Sequence, residues 1–127
     1  MKKEIITTPN APAPIGPYNQ AVKAGNTLYL SGQIPLNPKT MELLNSTIEK
    51  ETELVMNNLN AVLVAAEMTF ENVVKTTIFL DDMDNFTKVN TVYGRYFDDK
   101  TAPARETVAV KTLPKSVRVE IAMIAVK

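Results

Sequence analysis

A chain of 127 residues, 45% apolar and 22% charged, has the size and composition of one globular domain around one core. Its 14 basic and 14 acidic residues cancel, which argues against an electrostatic grip on a nucleic-acid backbone and leaves little self-repulsion to oppose assembly. Cysteine and histidine are both absent from the sequence, excluding thiolate nucleophiles, disulfides, imidazole bases and the usual zinc ligands.

Met1-Lys2-Lys3-Glu4 is basic enough for an export leader, but no apolar run follows and no segment reaches bilayer-spanning length, so a soluble cytoplasmic protein is expected. Glu4 to Thr8 reads as a short edge strand. Pro9, Pro12, Pro14 and Pro17 then hold the chain in an extended loop, from which Tyr18 emerges as either a packing aromatic or a ligand contact. Gln20 to Ala24 and Thr27 to Ser31 read as a hairpin around Gly25-Asn26, with Leu28 and Leu30 on one face and Tyr29 and Ser31 on the other. Gly32 marks either a close approach of partner or ligand, or a bulge.

Ser46-Thr47-Ile48-Glu49 matches a capping box with Ser46 as the cap. From there Ile48, Thr52, Val55, Leu59, Val62, Leu63 and Ala66 recur at helical spacing, predicting a helix that ends near Met68. Val73 to Leu80, dense in Val, Thr, Ile and Phe, reads as an interior strand. Asp81-Asp82-Met83-Asp84 closes it; helix capping accounts for these aspartates, no oxygen-ligand pattern follows, and no metal site is expected. The second helix spans about Asp84 to Phe97, with Asn90 among Phe86, Val89, Tyr93 and Phe97 on one face as a buried amide in need of partners.

Pro103 to Ile121 reads as two strands joined by Leu113-Pro114-Lys115-Ser116, with Arg105 opening the first and Glu120 inside the second. Val117, Val119, Ile121 and Met123 share one side of the last strand; Arg118, Glu120, Ala122, Ile124 and Val126 share the other. A carboxylate among Ala and Ile needs a cation or hydrogen-bond donors, and Arg105 is the candidate cation. Its fork of donors fits a carboxylate, either that of Glu120 or that of a small ligand. Spacing alone favours a structural ion pair over a catalytic one.

The order hairpin, helix, strand, helix, two strands predicts an α+β domain spanning residues 1–127, with both helices on one face of a mixed sheet. Because the last strand is largely apolar on both sides, the other sheet face calls for cover, and further copies of the chain are the economical choice.

Several separate motifs carry a likeness to a known family: Ile15-Gly16-Pro17-Tyr18-Asn19-Gln20-Ala21, Leu30-Ser31-Gly32-Gln33-Ile34-Pro35, Phe86 through Tyr93, Pro103-Ala104-Arg105, Val119-Glu120-Ile121 and Ile121 through Val126. In this order they resemble the RidA/YjgF family of reactive-intermediate (enamine/imine) deaminases. The resemblance implies a chorismate-mutase-like fold, a homotrimer with a central β-barrel, and sites in clefts between subunits. It implies hydrolysis of 2-imino acids such as 2-iminopropanoate and 2-iminobutanoate to 2-oxo acids and ammonia, with no cofactor. Arg105 matches the arginine that holds the substrate carboxylate and Glu120 the acid that positions or activates water for attack at C2; Tyr18, Ser31, Gly32 and Asn90 match surrounding pocket positions, and Thr107 contributes mainly through its backbone. Thr107 stands where many relatives carry Cys, and Glu106 where small residues are common; on a regular strand Glu106 points away from Arg105. The resemblance leaves a second role open, a 2-oxo acid sensor acting on a transcription regulator or metabolic enzyme.

Overall fold

Alternation of branched apolar and polar residues builds one six-stranded sheet in which the strands, counted along the chain, lie in the order first, second, third, sixth, fourth and fifth. A computed structural model describes residues 2–127, so Met1 of the basic N-terminal run lies outside the described residues. The strands are β1 (Lys3–Ile6), β2 (Ala21–Ala24), β3 (Thr27–Gln33), β4 (Val73–Leu80), β5 (Ala104–Ala109) and β6 (Val119–Val126). Among the described residues only the β4–β5 pair is parallel, and α2 (Phe86–Tyr93) lies between these strands in the chain. The predicted mixed α+β architecture and the edge position of β1 are both present.

β2 and β3 form the expected hairpin; Gly25 adopts φ +61, which a two-residue turn requires of it, while Asn26 stays at negative φ. The core lies between the sheet and α1 (Ile48–Ala65), whose Val55, Met56, Leu59, Val62 and Leu63 are fully buried. They meet Leu28, Ile78, Leu80, Val119, Ile121 and Met123 from the sheet. Among the described residues no helix is long and apolar enough to cross a membrane.

Three sequence expectations need correction. The cap of α1 is Thr47, whose hydroxyl accepts from the Lys50 N–H at 3.2 Å, and not Ser46. The Ser46 N–H is instead taken by the carboxylate of Glu51 at 3.0 Å, because Glu51 lies on the buried side of the first turn and turns back to the preceding loop. The second helix is also shorter: α2 is flanked by 3₁₀ turns at Met83–Asn85, where Asp82 caps through the Asp84 N–H, and at Gly94–Tyr96.

The third correction matters most for function. β5 and β6 follow one another in the chain but do not pair; β4 sits between them. Thr76, Ile78 and Leu80 of β4 are fully buried beneath the helices and stand in register with Arg105, Thr107 and Ala109 of β5, which therefore share the helix-covered face. Glu120 stands in register with Phe79, on the opposite face. That face, with Tyr29, Phe79, Val108, Ile124 and Val126, has no helix over it; Tyr29 and Val126 are exposed.

Candidate functional site

The predicted site residues fall into two groups. Around Glu120 the structure gathers Tyr18, Ser31, Gly32, Pro114 and Lys115 in a cleft of about 580 Å³, walled on its far side by Pro12, Ile15, Ile34 and Leu36. Around Arg105 it gathers Asn90, Tyr93 and Phe97 in a second cleft of about 440 Å³. Arg105 and Glu120 do not meet: they stand on opposite faces, two strands apart laterally and three residues apart along them. With strand spacing near 4.8 Å and a rise near 3.3 Å per residue, their Cα atoms are roughly 14 Å apart. The ion pair that spacing favoured is absent, because a pair on neighbouring strands needs β5 beside β6.

The first cleft is built by local backbone devices. β3 pairs Leu30 with Met123 and Gln33 with Ile121, so Ser31 and Gly32 together oppose Ala122 in a bulge that bends the strand. At Gly32 the absence of a side chain is required: a Cβ there would overlap the Glu120 Oε2 and lie 2.9 Å from its carboxyl carbon. The bulge reading of Gly32 is realised, and the group that comes close there is the chain's own Glu120 carboxyl. Ser31 donates from Oγ to the Asn19 carbonyl at 2.6 Å and Tyr18 Oη accepts from the Ile15 N–H at 3.2 Å, fixing the loop that borders Glu120.

Gln20, which sequence reasoning passed over, holds this loop from below. Fully shielded, its Nε2 donates to the carbonyls of Thr8, Ala11 and Pro12 at 3.0, 3.1 and 2.9 Å, while Oε1 accepts from the Thr8 N–H at 2.8 Å. The four prolines of the loop were the available signal, since a segment poor in N–H donors must find side-chain partners for its buried carbonyls. On the other rim, Lys115 and Ser116 sit consecutively at φ 55 and 57. Left-handed backbone at non-glycine residues is strained, and two in succession persist only where the surroundings impose them. No sequence signal marks them.

Glu120 is half-buried and pairs with no cation or donor among the described residues. Burial pushes its carboxyl above the ordinary carboxylate value. In the second cleft, Arg105 donates from Nη1 to Asn90 Oδ1 at 2.7 Å and lies over the rings of Phe86 and Tyr93. Asn90 thus ties α2 to the sheet, although it is exposed and not buried as its helical position suggested. Thr107 lies two residues past Arg105 on the same face; its hydroxyl oxygen is shielded and without a partner. Glu106 points to the opposite face, as expected, where it accepts from Thr77 Oγ1 at 2.7 Å and pairs with Lys75 at 3.2 Å; both lower its pKa.

Neither cleft brings Arg105 and Glu120 together: Glu120 shares the first with Lys115 and Arg105 shares the second with Asp99, and none of the four is in an ion pair among the described residues. Residues 8–127 match the family model described as endoribonuclease L-PSP. The chain is 52% identical over 127 residues to a RutC family protein of Synechocystis, covering 99% of this chain and 98% of that one. It is 48% identical to a putative regulator, AldR, of Lactococcus lactis, covering 96% of each chain. It is 42% identical to the chloroplastic Reactive Intermediate Deaminase A of Arabidopsis thaliana, covering 98% of this chain and 66% of that protein. Among solved structures, the YjgF gene product of E. coli superposes with a TM-score of 0.90 at 43% identity, covering 98% of each chain.

Proposed function

The chain belongs to the YjgF/Rid family, and we propose that it hydrolyses small 2-imino acids, such as 2-iminopropanoate and 2-iminobutanoate, to 2-oxo acids and ammonia. The sites are shared between copies of a homotrimer. The observation that carries this reading is Glu120, a half-buried carboxyl with no counter-ion and a raised pKa, backed onto Gly32 in a cleft. Leaving a carboxylate unpaired in such a place costs stability, and a raised pKa is what a general acid/base working near neutral pH needs.

An imine is already electrophilic at C2, so orientation and one acid/base group suffice. Arg105 holds the substrate carboxylate with its donor fork, and Asn90 and Thr107 lie beside it. Glu120 takes a proton from water as the oxygen bonds to C2, and passes it to the imine nitrogen. The resulting carbinolamine loses ammonia as Glu120 moves the hydroxyl proton to nitrogen and the C2–N bond breaks, leaving the 2-oxo acid and an unchanged Glu120. Tyr18, Ser31 and Gly32 shape the space where this water sits.

Since Arg105 and Glu120 occupy opposite faces of one sheet, a working site takes Arg105 from one copy and Glu120 from another. The uncovered sheet face, with exposed Tyr29, Val108 and Val126, supports assembly on that side. The test is complementation. Arg105→Ala and Glu120→Gln are each expected to release no ammonia above background from freshly generated 2-iminobutanoate. Co-assembled in equal amounts, they should regenerate about a quarter of the wild-type sites in a cyclic trimer. No recovery on mixing, with an active wild type, would refute the shared site; a wild type without ammonia release would refute the deaminase; sedimentation as a monomer would refute the trimer.

The relative named as a putative regulator favours a second reading, in which the same pocket binds a 2-oxo acid without turnover. Saturable 2-oxobutanoate binding with no ammonia release separates it from the first. The endoribonuclease of the family description has less support here, since the chain lacks histidine and carries no net charge.

A further inference from the structure

An arginine can be held in place by an acid or by neutral groups, and this chain does both. Arg118 is held by an acid: its Nε and Nη2 both donate to Glu51, and Nη2 also donates to the Ser46 carbonyl at 2.8 Å, so three of its five N–H donors and its charge are committed. Arg105 has no carboxylate partner among the described residues. Its neighbours on α2 are one amide and two rings: Asn90 takes a single Nη1 donor, and the guanidinium carbon lies 5.7 Å from the ring centre of Phe86 and 5.1 Å from that of Tyr93.

Aromatic faces attract a cation without using its hydrogen-bond donors. Of the five N–H donors of a guanidinium, the amide takes one, and the rings take none. The rings are themselves anchored. Tyr93 is buried and its hydroxyl bonds Thr76 Oγ1 at 2.9 Å; Thr76 is the β4 residue in register with Arg105, so the ring is tied to the strand level at which the arginine emerges. Phe86 opens α2 directly after the 3₁₀ turn capped by Asp82.

We infer that Phe86 and Tyr93 are positioning residues that fix the guanidinium of Arg105 while leaving its donor fork uncommitted for an anion. Neither ring touches the reacting atoms; both act through Arg105. The consequence for catalysis rests on the proposed deaminase reading, whereas the positioning of the side chain does not.

The experiment compares wild type with Phe86→Leu and Phe86→Tyr. It measures KM and kcat for freshly generated 2-iminobutanoate, 2-oxobutanoate affinity by calorimetry, and the Arg105 Nε–H resonance by NMR. Phe86→Leu should raise KM and weaken 2-oxobutanoate binding by roughly three- to tenfold, the range expected for one cation–π contact. Turnover should stay within about twofold, since the lost interaction is made equally in ground and transition states. Phe86→Tyr should restore both, and the ring-current shift of the Arg105 resonance should be present in wild type and reduced only in Phe86→Leu, where the Tyr93 ring still contributes. Should Phe86→Leu not fold, Tyr93→Phe, which keeps the ring and cuts its tie to Thr76, replaces it with a smaller expected change in the same direction. A folded variant with wild-type KM and affinity overturns the inference. If the wild type neither turns over the imine nor binds 2-oxobutanoate, the deaminase reading fails, and the Arg105 resonance alone decides the positioning: unshifted in wild type, it overturns that too.

Discussion

Two of the arginine–glutamate combinations in this chain, Glu51 with Arg118 and Arg105 with Glu120, end in opposite states; the third, Arg95 with Glu53 at 3.8 Å, is an exposed surface bridge. Glu51 and Arg118 form a two-point pair of 3.1 and 2.6 Å, with the Glu51 side chain 5% exposed and the Ser46 backbone bonded from both sides. Arg105 and Glu120 stay unpaired on opposite faces of the sheet. A closed pair of this kind joins the loop before α1 to the start of β6, and has no charge left for a ligand. An open pair keeps both charges available, at a cost in stability that the fold must meet elsewhere. The residue types are the same, so what separates structure from function here is whether the fold lets the two groups touch.

Glu120→Gln puts the largest strain on that comparison. Removing a general acid/base should cost roughly 10²- to 10⁴-fold in imine hydrolysis. Stability should move the other way. Burial raises the Glu120 pKa in the folded chain above its unfolded value, so between the two values the folded state binds more protons and stability falls as pH rises through that window. The variant should therefore melt above wild type at about pH 8, with the gain vanishing below about pH 4, where the carboxyl is protonated in both states. A Glu120→Gln protein less stable than wild type at the higher pH would place Glu120 with the structural pair.

Glu51→Ala tests the other arm. Stripping the partner from Arg118 and leaving the Ser46 N–H without its acceptor should cost about 2–4 kcal/mol in urea unfolding. The value sits below that of a fully buried pair because the Arg118 side chain is 38% exposed. Adding Arg118→Met to that variant should recover part of the loss, as removing both partners spares the unpaired charge. A loss under about 0.5 kcal/mol would rank the pair with ordinary surface bridges.

Gly32→Ala sharpens the contrast with the smallest expected change. A methyl group there meets the Glu120 carboxylate, not another backbone segment, so the side chain yields first. The expected result is a loss of about tenfold in kcat/KM with a stability change of about 1 kcal/mol, the low end for an inserted methyl group. Unchanged kinetics would mean that the position of Glu120 beside the bulge is not critical.

Much of this was legible from local pattern. Alternation placed Val119, Ile121 and Met123, all buried, on one side of the last strand and Glu120 on the other; helical spacing grouped Phe86, Asn90 and Tyr93 on the face that turned out to surround Arg105. The same alternation assigned Arg118 to the side of Glu120, yet Arg118 precedes β6 and reaches back to α1, where strand parity no longer applies. The burial of Gln20 and the left-handed pair Lys115-Ser116 depend on what the rest of the chain packs around them.

By itself the sequence determined the elements, the side each residue takes on its own strand or helix, and the motifs that mark the family, because those depend on neighbours a few residues away. Tertiary structure alone decided that β4 lies between β5 and β6. Strand order is settled by contacts distant along the chain, through the parallel crossover that carries α2 over the sheet, and no local period encodes it. That one insertion turns an expected ion pair into two separate half-sites.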